Sequence, residues 1–540
     1  MNKLFNQLLE KRGLTEEFLR PKYENSANPF KLPDMEKVVS RLEKAIKNHE
    51  KILIYGDYDV DGITASTVME EALKLAGVEQ KNITIMLPNR FTDGYGMSPR
   101  LIKTAEKQGI TLVITVDCGS RNHDIINELN FLKIDTIVTD HHETGDTLPE
   151  ALAIINPKRQ DFQDDKSELK NLAGVGVAFK FAQALVNKKF IPAGQEKWFL
   201  DLVLIGTICD NMLLTGENRI LSYYGVKVLE KTRRKGLKEL MKSAKVHQIT
   251  SESIGFQIGP RLNVAGRLES AEIALNLLRT NSATEAAELT AKLEKLNYDR
   301  RKKQNEAIKE IESHGTPSDP VIIETGDYSE GILGIIASRL VESYHRPAFV
   351  LTEVEEGILK GSARSFGDFN LAEALKNIED IIIGGGGHAM AAGVKIKREN
   401  LYAFRERINE YYRSLNLTDQ ERFLRSKHDL TLTDFSDFNL ELLDELKNLE
   451  PFGAGNEEPI FRLENTEIIN ATKMGSGQNH LRLDLRDAKN HQLKSVAFFA
   501  DENWLKLTPE DQITPLIKLT LNDFNGVKSV EARLIDVIMV

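Results

Sequence analysis

Apolar and polar positions follow two different rhythms along this chain. In the first 160 residues, short apolar runs recur at KILIY (51–55), NITIML (82–87), TLVITV (111–116), DTIVT (135–139) and LAIIN (152–156). Between them ITASTVMEEALKLAG, LIKTAEKQG and HDIINELNFLK carry helical spacing. Apolar strands separated by roughly 10–15-residue helices mean βαβ units and a parallel sheet. Residues 171–245 read as mainly helical. Ser282 to His314 holds no Gly or Pro and is dense in helix formers, so a long, solvent-rich connecting helix is expected there. HGTPSDP (314–320) then breaks the chain. A second α/β region covers about 320–412, with strands expected at VIIET, AFVLTE and GVKIK. Beyond about 425 the rhythm becomes short alternating strands, PIFRLENTEII, HLRLDLRD, KSVAFFA, IKLTLNDF and VEARLIDVIMV, as in a small barrel or sandwich. The expected fold is therefore α/β, with boundaries at 1–245, 246–315, 316–412 and 425–540.

Composition narrows the class without naming it. At one domain per ~150 residues, a chain of this length holds three or four. Apolar residues make up 41% and charged residues 28%, the balance of a globular protein. The formal charge is 71 − 81 = −10, so no global basic field exists, and any attraction for nucleic acid has to be local. No apolar run approaches the roughly 20 residues of a membrane span. Glu10, Lys11 and Arg12 interrupt the N-terminus too early for a signal peptide. Two cysteines, Cys118 and Cys209, cannot form a disulfide framework and read as small buried thiols, which makes a reducing cytoplasm the expected location.

The chemistry concentrates after the strands. Gly56-Asp57-Tyr58-Asp59-Val60-Asp61-Gly62 follows the first apolar run directly. Three carboxylates within five residues repel one another unless a cation neutralises them. Asp117 ends TLVITV, and Asp140-His141-His142 ends DTIVT. Open parallel sheets place their sites at the carboxyl ends of the strands, so three strands deliver carboxylate and imidazole to one edge. Such a donor set suits Mn²⁺ or Mg²⁺, and a site this acidic has room for two ions about 3.5–4 Å apart.

DYDVDG, VDCG and TDHH, in this order, resemble the first three motifs of the DHH phosphoesterase superfamily. GPRLNVAGR (259–267), GSARS (361–365), GGGGHAMAAG (384–393) and LEPFGAGNEEPIF (449–461) resemble the RecJ single-strand-specific exonucleases. The resemblance spans about 28 to 535 and implies a DHH catalytic domain, a DHHA1 substrate-binding domain and a C-terminal OB-like domain. It implies that Asp59, Asp61, Asp117, His141 and Asp210 are metal ligands, with Asp117 bridging, and that Asp57 and His142 act in catalysis, His142 near the scissile phosphate. The match is imperfect in places. Tyr55 stands where many relatives have His, CDNMLL surrounds Asp210 where ADVVPL is usual, and Tyr328-Ser329 replaces a Trp-His pair. Asp201 is the alternative to Asp210, although its setting in WFLDLVLIG reads as a helix-surface acid.

Substrate contacts are expected from Arg90 and Tyr95 in PNRFTDGYG and from Arg261, Asn263 and Arg267, and the resemblance implies a 5′-phosphate contact at Ser362 and Arg364 and a substrate contact at His388 after the glycine run. Two basic stretches offer local charge. Lys227 to Lys245 holds eight Lys/Arg against two Glu, and Ala471 to Ala500 holds five against two Asp, interleaved with Phe498 and Phe499. The resemblance implies a Mn²⁺- or Mg²⁺-dependent 5′→3′ exonuclease that degrades single-stranded DNA to 5′-mononucleotides in repair and recombination, with a helicase or a single-strand-binding protein as protein partner. The alternatives are a DHH phosphodiesterase of short oligonucleotides or cyclic dinucleotides, and a replication scaffold that has lost catalysis.

Overall fold

Five apolar runs form the first sheet, with strands Ile52–Tyr55 (β1), Ile83–Met86 (β2), Leu112–Val116 (β3), Asp135–Thr139 (β4) and Ala153–Ile155 (β5). In this computed structural model, residues 2–539 are described, apart from 91, 95, 165–166, 418–426, 476, 499, 502 and 525. The strand order is β2-β1-β3-β4-β5, and every neighbouring pair is parallel. The chain leaves β1 towards β2 and then returns past it to β3. That reversal opens a crevice at the carboxyl ends of β1 and β3. Helix Val60–Leu75 runs back from β1 and is buried on nearly every side between the sheet and helices Gly174–Asn187 and Leu200–Cys209. Helix Gly216–Leu229 packs on Leu200–Cys209, helix Glu272–Arg279 on Val60–Leu75, and helix Lys235–Ser243 on Glu272–Arg279.

The expected connecting helix spans Ala283–Ser313, and Ser282 caps it by accepting a hydrogen bond from the Glu285 N–H. The second sheet holds Ile322–Thr325 (β6), Ala348–Glu355 (β7), Ile358–Arg364 (β8), Ile382–Gly387 (β9) and Ala391–Lys397 (β10), in the order β6-β7-β8-β10-β9. Only β6 and β7 pair in parallel. Sequence periodicity foresaw β6, β7 and β10 but neither β8 nor β9. The glycine run Gly384–Gly387 reads as a turn because it has no side chains to alternate, yet it pairs with β10 as an edge strand.

The C-terminal strands are Leu430–Leu432 (β11), Phe461–Leu463 (β12), Thr466–Met474 (β13), His480–Arg486 (β14), Gln492–Ala497 (β15), Gln512–Phe524 (β16) and Val527–Met539 (β17). β17 pairs with β15 on one side and β16 on the other, so the sheet closes on itself. PIFRLENTEII, expected as one strand, is two, because Asn465 turns the chain at φ 54°. The N-terminal helix Lys3–Arg12 belongs to this barrel's core, where Leu4, Phe5 and Leu8 pack with Leu442, Phe461 and Leu485. Arg12 pairs with Asp429 at 2.6 Å. Arg219 ties the barrel to the first domain, donating to the carbonyls of Asn448, Leu449 and Glu450. Among the described residues no helix is long and apolar enough to cross a membrane.

Candidate metal centre and phosphate pocket

Local structure explains how so many acids converge. Asp59 caps helix Val60–Leu75, its Oδ1 accepting from the Gly62 N–H at 3.0 Å. Two residues on, in the first turn, Asp61 accepts from the N–H groups of Gly174 (2.6 Å) and Val175 (2.8 Å), where helix Gly174–Asn187 begins. Two helix N-termini thus hold two carboxylates against the same crevice. Asp117 leaves β3 in the left-handed region at φ 62°, a conformation that costs energy for a non-glycine residue and turns its carboxylate into the site. Gly174 makes room for it, since a Cβ there would lie 2.6 Å from Asp117. Gly62 likewise lets Asp57 approach, because a Cβ would meet the Asp57 backbone at 2.5 Å.

His141 sits at the centre. Its Nε2 lies 3.1 Å from Asp117 Oδ1, 3.5 Å from Asp210 Oδ2 and 3.6 Å from Asp61 Oδ2. Ligand atoms of Asp61, His141 and Asp210 lie within 4.8 Å of one another, as do those of Asp57, Asp59 and Asp117, and of Asp117, His141 and His142. Asp117 belongs to two of these groups and His141 to two, the arrangement a pair of neighbouring cations needs. Among the described residues neither ring nitrogen of buried His141 nor Oδ1 of Asp117 has a partner in hydrogen-bond geometry, although Nε2 and Oδ1 lie 3.1 Å apart. Buried polar atoms are normally satisfied, so these orphans fit a cation. Burial first and neighbouring carboxylates second push Asp57, Asp61, Asp117 and Asp210 above the usual carboxylate range. Burial and then the charge of His142 lower His141 to about 3, which keeps its imidazole neutral, the form that ligates metal.

His142 behaves differently. Its Nδ1 lies 2.8 Å from Asp140 Oδ1, and Asp140 also accepts from the N–H groups of Ser120, His141 and His142. Burial opposes the charge on His142, but Asp140 outweighs it and raises His142 to about 9. Burial alone would raise Asp140, whereas its bond to His142 holds it well below the usual carboxylate range. Adjacent histidines are thereby set in opposite protonation states.

Cations gather on the other side of the crevice. Arg90 lies over the Tyr58 ring at 4.9 Å, beside Asp57 and Asp59. Arg267 is lowered to about 10, by burial first and then by Arg90, Arg300 and Arg364. Burial and Arg90 also lower Arg364. Arg364 donates to the carbonyl of Ala363 at 2.8 Å and reaches Ser362 Oγ at 3.4 Å, and among the described residues it forms no ion pair, with Asp368 or any other acid. Gly334, at the start of helix Leu333–Tyr344, leaves this pocket open, since a Cβ there would lie 2.9 Å from the Arg364 guanidinium. Four arginines with few acids of their own point to an anion with more than one charge.

The other expected residues differ in their surroundings. Asn263 accepts from the Val60 N–H at 3.2 Å and so braces the acidic loop. Arg261 is committed to Glu294 at 2.7 Å and to the Gln257 carbonyl, within the protein. His388 is exposed at the β9–β10 turn. Tyr95 lies outside the described residues. Asp201 is not a surface acid. It is buried and bonded to Thr232 (2.6 Å) and Arg234 (3.2 Å), whereas Asp210 reaches His141. Tyr55 points away from the site, donating to the Gly96 carbonyl at 3.0 Å.

An open cleft of about 1150 Å³ leads from Asn263 and Arg267 past Cys209 and Met212 to Lys518 and Arg533 of the barrel. Known proteins share both the sequence motifs and this architecture. Residues 51–207 match the family model of the DHH family N-terminal domain, 318–414 the DHHA1 domain and 429–536 the RecJ OB domain. The chain is 34% identical to the single-stranded-DNA-specific exonuclease RecJ of Haemophilus influenzae, covering 93% of this chain and 90% of that protein. The chain belongs to the RecJ family. RecJ of Bacillus subtilis is 36% identical, over 99% of this chain and 67% of its own length. The structure of RecJ from Thermus thermophilus in complex with Mn²⁺ superposes with a TM-score of 0.85 at 29% identity, covering all of this chain and 76% of that one.

Set within the RecJ family, the geometry also exposes positions that motif reading passed over. Asp140 was visible in TDHH but was not singled out, although it sets the charge of His142. Gly174 and Gly334 carried no signal at all, because a glycine's value here is the absence of a clash that only the fold creates.

Proposed function

We propose that this chain is a Mn²⁺- or Mg²⁺-dependent 5′→3′ exonuclease that releases 5′-mononucleotides from single-stranded DNA in repair and recombination. The observation that carries the reading is the juxtaposition of an unneutralised acidic centre around Asp117 and His141 with an unneutralised arginine pocket around Arg364. Asp59, Asp61, Asp117, His141 and Asp210 would hold the ions, with Asp117 shared. When bound, such ions supply a hydroxide nucleophile and neutralise charge on the phosphoryl oxygens. Asp57, hydrogen-bonded to its own loop at Tyr58, narrows the acidic centre on the β1 side. Protonated His142, oriented by Asp140, donates to a non-bridging oxygen of the scissile phosphate and stabilises the charge that develops there. Arg364 and Ser362 bind the 5′-terminal phosphate, with Arg90 and Arg267 beside them, which sets the distance from the strand end to the reacting phosphorus.

The barrel and the cleft favour a long strand over a cyclic dinucleotide, since both extend well beyond a dinucleotide's reach. The same reading carries a cytoplasmic location and a helicase or single-strand-binding protein as partner. An end-labelled polarity assay on single-stranded DNA with Mn²⁺, Mg²⁺ or EDTA tests the reading. Release of labelled mononucleotide from the 5′ end, abolished by EDTA, is expected. Release from the 3′ end, or cleavage of dinucleotides alone, would refute it.

A further inference from the structure

A second cluster of cations and rings lies away from the acidic centre. Lys227 to Lys245 carries a net charge of +6 in a protein of −10. Lys227, Lys231, Arg233, Lys235, Lys238, Lys242 and Lys245 are all exposed, and among the described residues only Lys242 has an acidic partner, Glu239 at 3.7 Å. Lys235, Lys238 and Lys242 share one face of helix Lys235–Ser243. A bare charge run is usually a solvated face, but this one borders aromatic rings. Arg233 stacks on Trp198 at 3.5 Å, Lys227 on Tyr223 at 3.9 Å and Lys197 on Tyr23 at 4.3 Å. Tyr23, Trp198 and Tyr224 enclose, with Leu200, Val228 and Lys231, a hollow of about 220 Å³.

The hollow is separate from the acidic centre. Leu200 opens the ten-residue helix that Asp210 caps at its far end, which puts them about 15 Å apart. It is nonetheless connected to the cleft, because helix Lys235–Ser243 packs against the π-helical turn Ile254–Ile258, whose Phe256 lines the cleft wall. Cations without counter-ions track a polyanion, and rings over an apolar floor take unpaired bases, which a duplex does not present. We propose that this surface is an auxiliary binding site for single-stranded DNA, which holds the part of the substrate trailing out of the cleft. The proposal rests on the single-strand nuclease reading and concerns substrate length.

The test compares the full chain with the triple variant Lys227→Glu, Lys231→Glu, Arg233→Glu, and with Trp198→Phe and Trp198→Ala. Affinity is measured in EDTA for an oligo-dT of about ten nucleotides, enough to fill one short site, and for one several times longer. The triple variant should lose the long strand's advantage by about tenfold or more, and its salt dependence should fall by about 2 in logarithmic slope. Binding and hydrolysis of the short strand should not change, and that hydrolysis reports on the nuclease reading independently. Trp198→Ala should weaken the long oligo-dT but not a long abasic strand, and Trp198→Phe should restore it. Equal losses on short and long strands, or none on either, would overturn the site. So would loss of poly-glutamate binding with DNA affinity intact, which would make an acidic protein the occupant.

Discussion

The first α/β domain gathers Asp57, Asp59, Asp61, Asp117 and Asp210 in one crevice and sets few cations against them, His142 and Arg90 among these, whereas the second brings Ser362 and Arg364 to the same crevice with no acid paired to Arg364 among the described residues. Burial works against both groups, raising the carboxyls and lowering the guanidiniums. A buried charge without a partner is costly, so an excess of one sign beside an excess of the other marks where ligands belong. Helix Val60–Leu75 contains the contrasting case. Glu70 is as buried as Asp61, yet Arg279 (2.6 Å) and Lys74 (2.9 Å) neutralise it from within the protein. One helix therefore carries a buried acid satisfied by cations of the protein and another that, among the described residues, no lysine or arginine meets.

The largest expected effect breaks the acidic side. Asp117→Ala should abolish hydrolysis, a loss of about 4 kcal/mol in transition-state stabilisation or roughly a thousandfold. It should also leave the apo protein folded, since relief of carboxylate repulsion offsets the left-handed backbone angle, which an alanine keeps. Activity within tenfold of wild type would mean that the centre lies elsewhere. The adjacent histidines should separate next. His141→Ala should weaken both turnover and Mn²⁺ affinity, and His142→Ala should lower turnover far more than affinity. Titrating Mn²⁺ against activity for each variant checks this, and matching losses of affinity would erase the distinction.

On the cationic side, Arg364→Ala should depress kcat/KM on 5′-phosphorylated DNA by roughly 10- to 150-fold, from a charge-assisted pair of about 1.5–3 kcal/mol. DNA with a 5′-hydroxyl should suffer little, and Arg364→Lys should recover only part because an ammonium lacks the planar fork. An unchanged phosphate-to-hydroxyl ratio would refute the role.

The smallest effect concerns Glu70, and it acts on stability rather than catalysis. Burial raises its carboxyl, but the bonds to Arg279 and Lys74 win and hold it below its ordinary value. A lowered folded-state pKa stabilises the protein above the unfolded value of about 4.3 and is lost as pH falls through the folded one. Glu70→Gln should cost about 1–3 kcal/mol at neutral pH and flatten the acid limb of a Tm-against-pH curve. Metal should not rescue it.

Much of the site was legible because carboxylates at strand ends are written in consecutive residues. Asp57, Asp59, Asp61, Asp117, His141 and His142 each follow an apolar run, and reading the run locates the acid. Asp210 was harder, since it follows a helix and competes with Asp201 nine residues earlier. Only packing separates them, by burying Asp201 against Arg234 and turning Asp210 to His141. Arg261 and Arg267 share one segment, yet one is tied to Glu294 and the other faces the arginine pocket, because side chains six positions apart leave a helix in different directions.

The amino-acid sequence by itself determined the order of the α/β and β regions, the parallel first sheet, the connecting helix and which acids stand at the strand ends, because these depend on local periodicity and on residue type. Tertiary structure alone decided that β9 is a strand, that the N-terminal helix joins the barrel, that Gly174 and Gly334 keep two pockets open, and that His141 is neutral while His142 is charged. Those outcomes depend on partners hundreds of residues away or on the field of buried neighbours, and neither is encoded in any short stretch of chain.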